Sequence, residues 1–201
     1  MRIPFVGRGE INPEQLHFIT ASRGGSAFLF AGAVFWAVAG STAVWLEETT
    51  AGYVYLFGGF LVPLFGFIFA RLQGIRFTDL RGSDHFSLVV IAAAITPICL
   101  PVLFALIRYD PRLVAPALTL IDSAHFPILM WIHLDYTYFL AAYAKFLIGL
   151  AFLFWWPEHA LVIVGLTSAL VSVIAAIAVH RASKDPQLAY LPRAESDGRR
   201  S

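Results

Sequence analysis

Three ionisable side chains lie inside long apolar stretches of the sequence: Asp122, His125 and Lys145. On insertion scales a charged side chain at the centre of a bilayer costs about 2.5–3.5 kcal/mol, so such a group usually has a partner or a function. A carboxylate, an imidazole and an ammonium group placed together can neutralise one another, bind an ion or a polar solute, or relay a proton. The helices that carry them decide whether they meet.

A helical hairpin would bring these three residues to one depth. Asp122 lies at the middle of the apolar stretch 114–132, and Lys145 lies at the middle of the stretch 137–155. In a tight hairpin the depth of Lys145 falls between Asp122 and His125, which are i, i+3 neighbours on one helix face. We therefore predict that the three side chains form a cluster at the bilayer midplane, inside a helix bundle.

The cluster has two interpretations. Asp122 and Lys145 could be a neutralising pair that lets both helices insert and fixes their register while adding little stability. The alternative is a binding or proton-relay site, which Pro127 favours because a proline exposes backbone carbonyls nearby. We favour the structural interpretation, because the cluster is small and its charges cancel.

The composition indicates what kind of protein holds the cluster. Of the 201 residues, 59% are apolar and 13% are charged, whereas soluble domains average about 45–50% apolar and 25% charged residues. This predicts an integral membrane protein, and the single Cys99 excludes a disulfide-rich chain. The sequence contains no Walker-type glycine loop, H-E-x-x-H pair or G-x-S-x-G elbow. We predict no cofactor and favour a non-enzymatic protein.

Six stretches are long enough to cross a bilayer, which needs about 20 apolar residues. They predict an all-α bundle of six transmembrane helices at roughly 25–46, 51–72, 86–107, 114–132, 137–155 and 160–180. The predicted organisation is a cytoplasmic N-terminal segment (1–24), a transmembrane domain (25–180) and a flexible basic tail (181–201).

Basic residues between the stretches predict the orientation. With both termini in the cytoplasm, eleven Lys and Arg residues lie on the cytoplasmic side, and only Arg108 and Arg112 lie outside. We therefore predict a multi-pass protein of the cell membrane with both termini inside. The same basic residues are explained by topology and anionic lipid, so the predicted partner is the lipid bilayer and not a nucleic acid.

Glycine and proline patterns predict how the helices pack. Gly52, Gly59 and Gly66 recur every seven residues, so they are expected to form one helix-packing stripe on the second span. Pro97 and Pro101 predict a kink in the middle of the third span.

The remaining histidines do not predict a metal site. His133 and Asp135 are expected to be hydrated at the hairpin between the fourth and fifth spans. His125, His133 and His159 fall at three different depths, whereas zinc or haem needs ligands that converge at one depth. We predict no metal ligands in this chain.

Several short motifs are similar to those of a known family. They are Arg23-Gly24-Gly25, Gly32-x-x-x-Trp36-x-x-x-Gly40, the run from Phe57 to Leu64, Arg71-Leu72 and Ala124-His125-Phe126-Pro127. Together they resemble a family of small bacterial multi-pass membrane proteins that is catalogued as a domain of unknown function. The resemblance covers most of residues 14–180. It implies a multi-pass membrane protein and supplies no activity or catalytic residue.

Three hypotheses for function remain. The first is a non-enzymatic membrane protein of unknown activity in which the buried Asp/His/Lys cluster holds the bundle together. The second is a small-solute or proton-coupled transporter that uses the cluster, expected to be a homo-oligomer because six short spans make a narrow bundle. The third is a membrane-embedded enzyme that acts on lipid or quinone with His125 as acid or base.

Overall fold

Helices make up almost all of the structure, a computed structural model that describes residues 12–184. Within that range there are ten α-helices and no strand. The helices are α1 (Pro13–Ala21), α2 (Ser26–Thr42), α3 (Glu48–Gly58), α4 (Leu61–Leu72), α5 (Asp84–Ala93), α6 (Ile95–Ile98), α7 (Leu100–Tyr109), α8 (Val114–His133), α9 (Thr137–Phe154) and α10 (Ala160–Ala182). The first part of the predicted N-terminal segment and nearly all of the predicted flexible tail lie outside the described residues.

Among the described residues, five helical segments are each long and apolar enough to cross a membrane. They are Arg23–Thr42, Asp84–Tyr109, Pro111–His133, Thr137–Phe154 and Pro157–Ala182. The pair α3 and α4 makes a sixth if it is counted as one span, although it is bent by 50°. The prediction of an all-α bundle is therefore confirmed.

The bend between α3 and α4 has a local cause. α3 ends at Gly58, Gly59 follows, and Pro63 lies in the first turn of α4. Glycine in a helix is less favourable than alanine by about 1 kcal/mol, and two adjacent glycines weaken the helix further. Proline has no backbone N–H to donate to the preceding turn. The helix therefore breaks between Gly58 and Leu61.

The third span is also interrupted. Single-residue turns at Ala94 and Cys99 separate α5, α6 and α7. Pro97 and Pro101 lie just after these turns, and each removes one backbone hydrogen bond from the helix ladder. The interruption lies where the two prolines predict a kink.

The closest packing in the bundle is between α2 and α10. A Cβ atom added to Gly40 would lie 2.9 Å from the backbone nitrogen of Leu166 and 3.0 Å from Cα of Gly165. The two helix backbones therefore touch, which only glycine allows at these positions. Beside this contact the buried hydroxyl of Tyr55 donates a hydrogen bond to the carbonyl of Leu161.

The predicted glycine stripe does not form one packing surface. A Cβ on Gly52 would contact Ile107 of α7 at 3.4 Å, whereas one on Gly66 would clash with Phe28 of α2. A Cβ on Gly59 would meet only carbonyl oxygens of its own segment, at 3.6 and 3.7 Å. The prediction for Gly59 was wrong, because the heptad spacing assumes a continuous helix and this helix breaks at that residue.

Candidate functional site

The hairpin of α8 and α9 positions the predicted cluster. Leu134 adopts a left-handed conformation with φ of 52°, which ends α8 and turns the chain back. The Oδ1 atom of Asp135 then accepts a hydrogen bond from the backbone N–H of Thr137 at 2.8 Å, and this contact caps the start of α9. The two antiparallel helices pack along their length and bring Asp122 and Lys145 to one depth.

Lys145 and Asp122 form a close ion pair. The Nζ atom of Lys145 donates to Oδ2 of Asp122 at 2.5 Å, and Lys145 is only 1% exposed. The ammonium group also lies 5.0 Å from the ring centre of Phe126 and 5.5 Å from that of Trp36, within cation–π range. The carboxylate and two aromatic rings therefore surround the charge of Lys145.

His125 joins the same carboxylate from the other side. Its Nε2 atom lies 3.6 Å from Oδ1 of Asp122, the i, i+3 arrangement that the sequence predicts. Its ring lies against that of Phe126, with 5.0 Å between the ring centres. The Nδ1 atom is buried and has no hydrogen-bond partner among residues 12–184. The three predicted residues thus converge, and one polar atom of the cluster has no partner within that range.

Trp36 is a member of the site that sequence reasoning missed. It lies in α2 with only 2% of its surface exposed, and its ring centre lies 5.5 Å from the ammonium group of Lys145. A signal was present in the sequence, because Trp36 is the one residue with a polar side-chain group in the apolar segment from Gly32 to Gly40.

The cluster borders a cavity of about 390 Å³. Residues of α2, α4, α5, α6 and α8 form most of its wall, and most of them are apolar. Asp122, His125 and Lys145 lie on one side of it, and Ser172 and Tyr138 lie nearby. The site is therefore a largely apolar chamber in which the cluster forms the charged region, and Thr96 and His133 are further polar residues of the wall.

The three cluster residues differ in how much of each side chain is exposed. The side chain of Asp122 is 21% exposed and that of His125 is 17% exposed, but that of Lys145 is only 2% exposed. A molecule in the cavity would therefore contact the carboxylate and the imidazole. It would not reach the ammonium group directly.

His133 contradicts the sequence prediction. It was expected to be hydrated at the hairpin, but it is 3% exposed and its ring stacks on those of Phe18 and Tyr138, at 5.8 and 5.4 Å. Gly25, with a positive φ of 77°, leaves room for His133 and Tyr138, because a Cβ there would lie 2.9 Å from Nε2 of His133 and 2.7 Å from the hydroxyl of Tyr138. The segment that leads into α2 covers the histidine. Asp135 is also buried, through its cap on α9.

Comparison with known proteins assigns a family and no activity. A family of unknown function, DUF7010, matches residues 11–182. The chain belongs to this family. No curated protein and no solved structure matches it. None of these comparisons therefore assigns a chemistry to this DUF7010 member.

These side chains can do limited chemistry. Within residues 12–184 no group of three or more His, Cys, Asp and Glu side chains is arranged to hold a metal ion. Asp122 can accept a hydrogen bond from a molecule in the cavity, and His125 can donate or accept one according to its tautomer. With a neutral imidazole the cluster has no net charge. It is best suited to orienting one polar group.

Proposed function

We propose that this chain is a non-enzymatic integral membrane protein that binds and carries a small uncharged solute in the cavity, with the Asp122/His125/Lys145 cluster as the polar end of the site. The observation that carries the proposal is the 390 Å³ cavity with Asp122 and His125 on its wall. Ligand pockets of proteins are typically about 300–1,000 Å³, largely apolar, with a few polar groups that orient the ligand.

The charges of the cluster select the ligand. A cationic ligand would approach a carboxylate that Lys145 already neutralises at 2.5 Å, and it would be repelled by that ammonium group. An anionic ligand would need Lys145, whose side chain is 2% exposed. An uncharged group with an O–H or N–H donor meets neither obstacle, because the accessible carboxylate of Asp122 accepts its hydrogen bond.

A purely structural role for the cluster would favour a different arrangement of the two charged side chains. A pair that only holds two helices together needs no cavity beside it, and burial of both partners would serve it best. Here the side chain of Lys145 is buried, whereas that of Asp122 is 21% exposed. This asymmetry favours a binding role, and nothing in the geometry favours the enzyme hypothesis.

Ligand-induced stabilisation tests the proposal. The thermal midpoint of the protein in lipid nanodiscs would be measured with uncharged alcohols and amides, and with matched amines and carboxylates. A ligand that binds the folded state raises this midpoint. We expect a rise with uncharged donors only.

A matched pair of variants in α2 checks where the solute binds. Gly32 borders the cavity, and an added Cβ there has no atom within 4 Å. Gly32→Phe would fill the cavity, so it should abolish the rise in midpoint. Val38→Phe, at a position that is 53% exposed, should keep it. The proposal fails if no solute raises the midpoint, or if Gly32→Phe responds as the parent does.

We also propose that both termini lie in the cytoplasm of a cell, because eleven of the fourteen Lys and Arg residues fall on that side of a six-span arrangement. Topology reporters fused after His180 and between Arg76 and Asp84 should both give a cytoplasmic signal. An external signal from the fusion after His180 would exclude an even number of spans with both termini inside.

A further inference from the structure

The cavity has one weak wall, between α4 and the interrupted span α5–α6. α4 packs mainly on α2, whereas α5 and α6 pack on α8. These two neighbours in the chain order therefore rest on different partners, and their backbones hardly approach each other. In a bundle of helices such a gap is a direct route between the interior and the surroundings.

Contacts at both ends give the gap a defined height. At one end α3 packs on α7, and the rings of Phe57 and Phe104 meet edge to face at 6.0 Å. At the other end the connection between α4 and α5 folds back, and the ring of Phe77 contacts that of Phe67 at 4.8 Å. The opening is therefore a window in the middle of the bundle and not a slit along its whole length.

Residues at this window belong to the cavity and to the outer surface at the same time. Phe60, which directly precedes α4, Phe67 of α4, and Val90 and Ala93 of α5 line the cavity. All four are also exposed. The exposed fractions are 47% for Phe60, 45% for Phe67 and 54% for Val90, and Ala93 is exposed as well. At these positions only one layer of side chains separates the cavity from the surroundings, so the wall is thinnest here. All four are apolar, so the opening faces lipid and not water if these spans cross a bilayer.

We propose that this window between α4 and α5–α6 is a lateral opening, through which an uncharged, hydroxyl-bearing amphiphile dissolved in the membrane enters the cavity. The inference rests on the proposed function and adds the substrate class and the route. The apolar wall holds the hydrocarbon part of the molecule. The accessible carboxylate of Asp122 accepts the hydrogen bond of the hydroxyl.

The basic end of the bundle, where α1 and the α4–α5 connection lie, offers no comparable route. Phe18, Ile75, Leu80 and Ile132 form a packed cluster there, and each is 7% exposed or less. Three of them, Phe18, Ile75 and Leu80, also line the cavity and so close its floor. A solute from the water on that side would have to displace this cluster.

Trp36 provides a built-in reporter of access, because it lines the cavity and is 2% exposed. The other four tryptophans are all exposed, and replacing them with Phe leaves Trp36 as the single tryptophan; they are Trp45, Trp131, Trp155 and Trp156. In vesicles, the quencher would be a long-chain alcohol with bromine on the carbon next to the one that bears the hydroxyl. We expect this alcohol to quench Trp36, and the matched bromoalkane without a hydroxyl to quench it less.

Two neighbouring alanines give a matched test of the route. Ala93 lines the cavity and is exposed, whereas Ala94 is exposed but does not line it. In the Trp36-only protein, Ala93→Phe should slow quenching by the bromo-alcohol severalfold, and Ala94→Phe should leave the rate unchanged.

Each of the other possible results refutes a particular part of the proposal. Equal quenching rates in Ala93→Phe and Ala94→Phe would refute the window and leave the binding cavity standing. Strong quenching by acrylamide from the water would refute lateral access in favour of an aqueous route. If the bromo-alcohol fails to quench while uncharged solutes still raise the thermal midpoint, the amphiphile is refuted and the cavity is not. If both measurements are negative, the proposed function fails as well.

Discussion

The bundle has two halves that differ in how well they pack. The continuous half consists of α2, α8, α9 and α10, whose helices are unbroken. The interrupted half consists of α3 to α7, in which both spans are broken. In the apolar stretch of the first span 56% of residues are buried, against 17% in the third span. The cavity lies where the two halves meet.

The contrast follows from where small residues and helix breakers fall. Gly40 and Gly165 let two straight helices touch along their backbones, so α2 and α10 leave no space between them. Pro63, Pro97 and Pro101 bend or interrupt the spans of the other half, and a bent helix cannot keep its side chains in register with a straight neighbour. The continuous half is thus a framework that holds the ionised cluster, and the interrupted half is its loosely attached cover.

Two glycines of α2 should give the largest contrast between the halves. Gly40→Leu should lower the free energy of unfolding by more than about 3 kcal/mol, because the side chain would meet backbone of α10 that cannot move aside. Gly32→Leu should fold, because an added Cβ there has no atom within 4 Å. Unfolding in mixed detergent micelles gives both values.

Gly40→Ala keeps this comparison measurable if the leucine variant does not accumulate. Its single methyl group would lie about 2.9–3.0 Å from the backbone of α10, so it should still be clearly destabilising. Similar stability for Gly40→Ala and Gly32→Ala would mean that the framework is not packed as closely as the structure shows.

The ion pair should give a large but unequal effect. Asp122→Leu strands the ammonium group of Lys145, which is 1% exposed, and should cost about 3–5 kcal/mol of unfolding free energy. Lys145→Met leaves a carboxylate that still faces the cavity, so the loss should be smaller. The double variant Asp122→Leu/Lys145→Met should regain most of the stability but lose the binding of uncharged donors.

A partly exposed ion pair serves as the control for this result. Asp110 and Arg112, whose side chains are 20% and 35% exposed, are bound at 2.8 Å just before α8, and the guanidinium group lowers the pKa of the Asp110 carboxyl. Water screens this pair, so Asp110→Asn should change stability far less than Asp122→Leu. Equal losses from Asp122→Leu and Lys145→Met would contradict the view that the cavity uncovers only one partner.

The sequence predicts what depends on local spacing and on the cost of charge in lipid. The lengths of the apolar stretches predict the spans, and the equal depth of residues in a helical hairpin predicts that Asp122, His125 and Lys145 lie together. The sequence does not predict contacts that depend on distant segments. His133 is buried because Gly25 and Phe18, more than a hundred residues away, cover it. The cavity depends on which helices fail to touch, and periodicity within one helix carries no information about that.

The smallest expected effects are at the break in the second span, where alanine at two adjacent glycines should change stability in opposite directions. A methyl group on Gly58 would lie 2.8 Å from the ring of Phe35. That ring packs against Trp36, with 5.2 Å between the ring centres, so it has little room to move aside. Gly58→Ala should therefore lower the free energy of unfolding by about 1–2 kcal/mol. Gly59 has a helical φ of −56° and only ordinary contacts, so Gly59→Ala should raise stability by about 0.4–1 kcal/mol by restricting the unfolded chain. Both are measured by the same micelle unfolding. If Gly59→Ala were the more harmful change, α3 and α4 would have to pack as one continuous helix with a heptad stripe, and the interrupted half would lose the break that opens its side of the cavity.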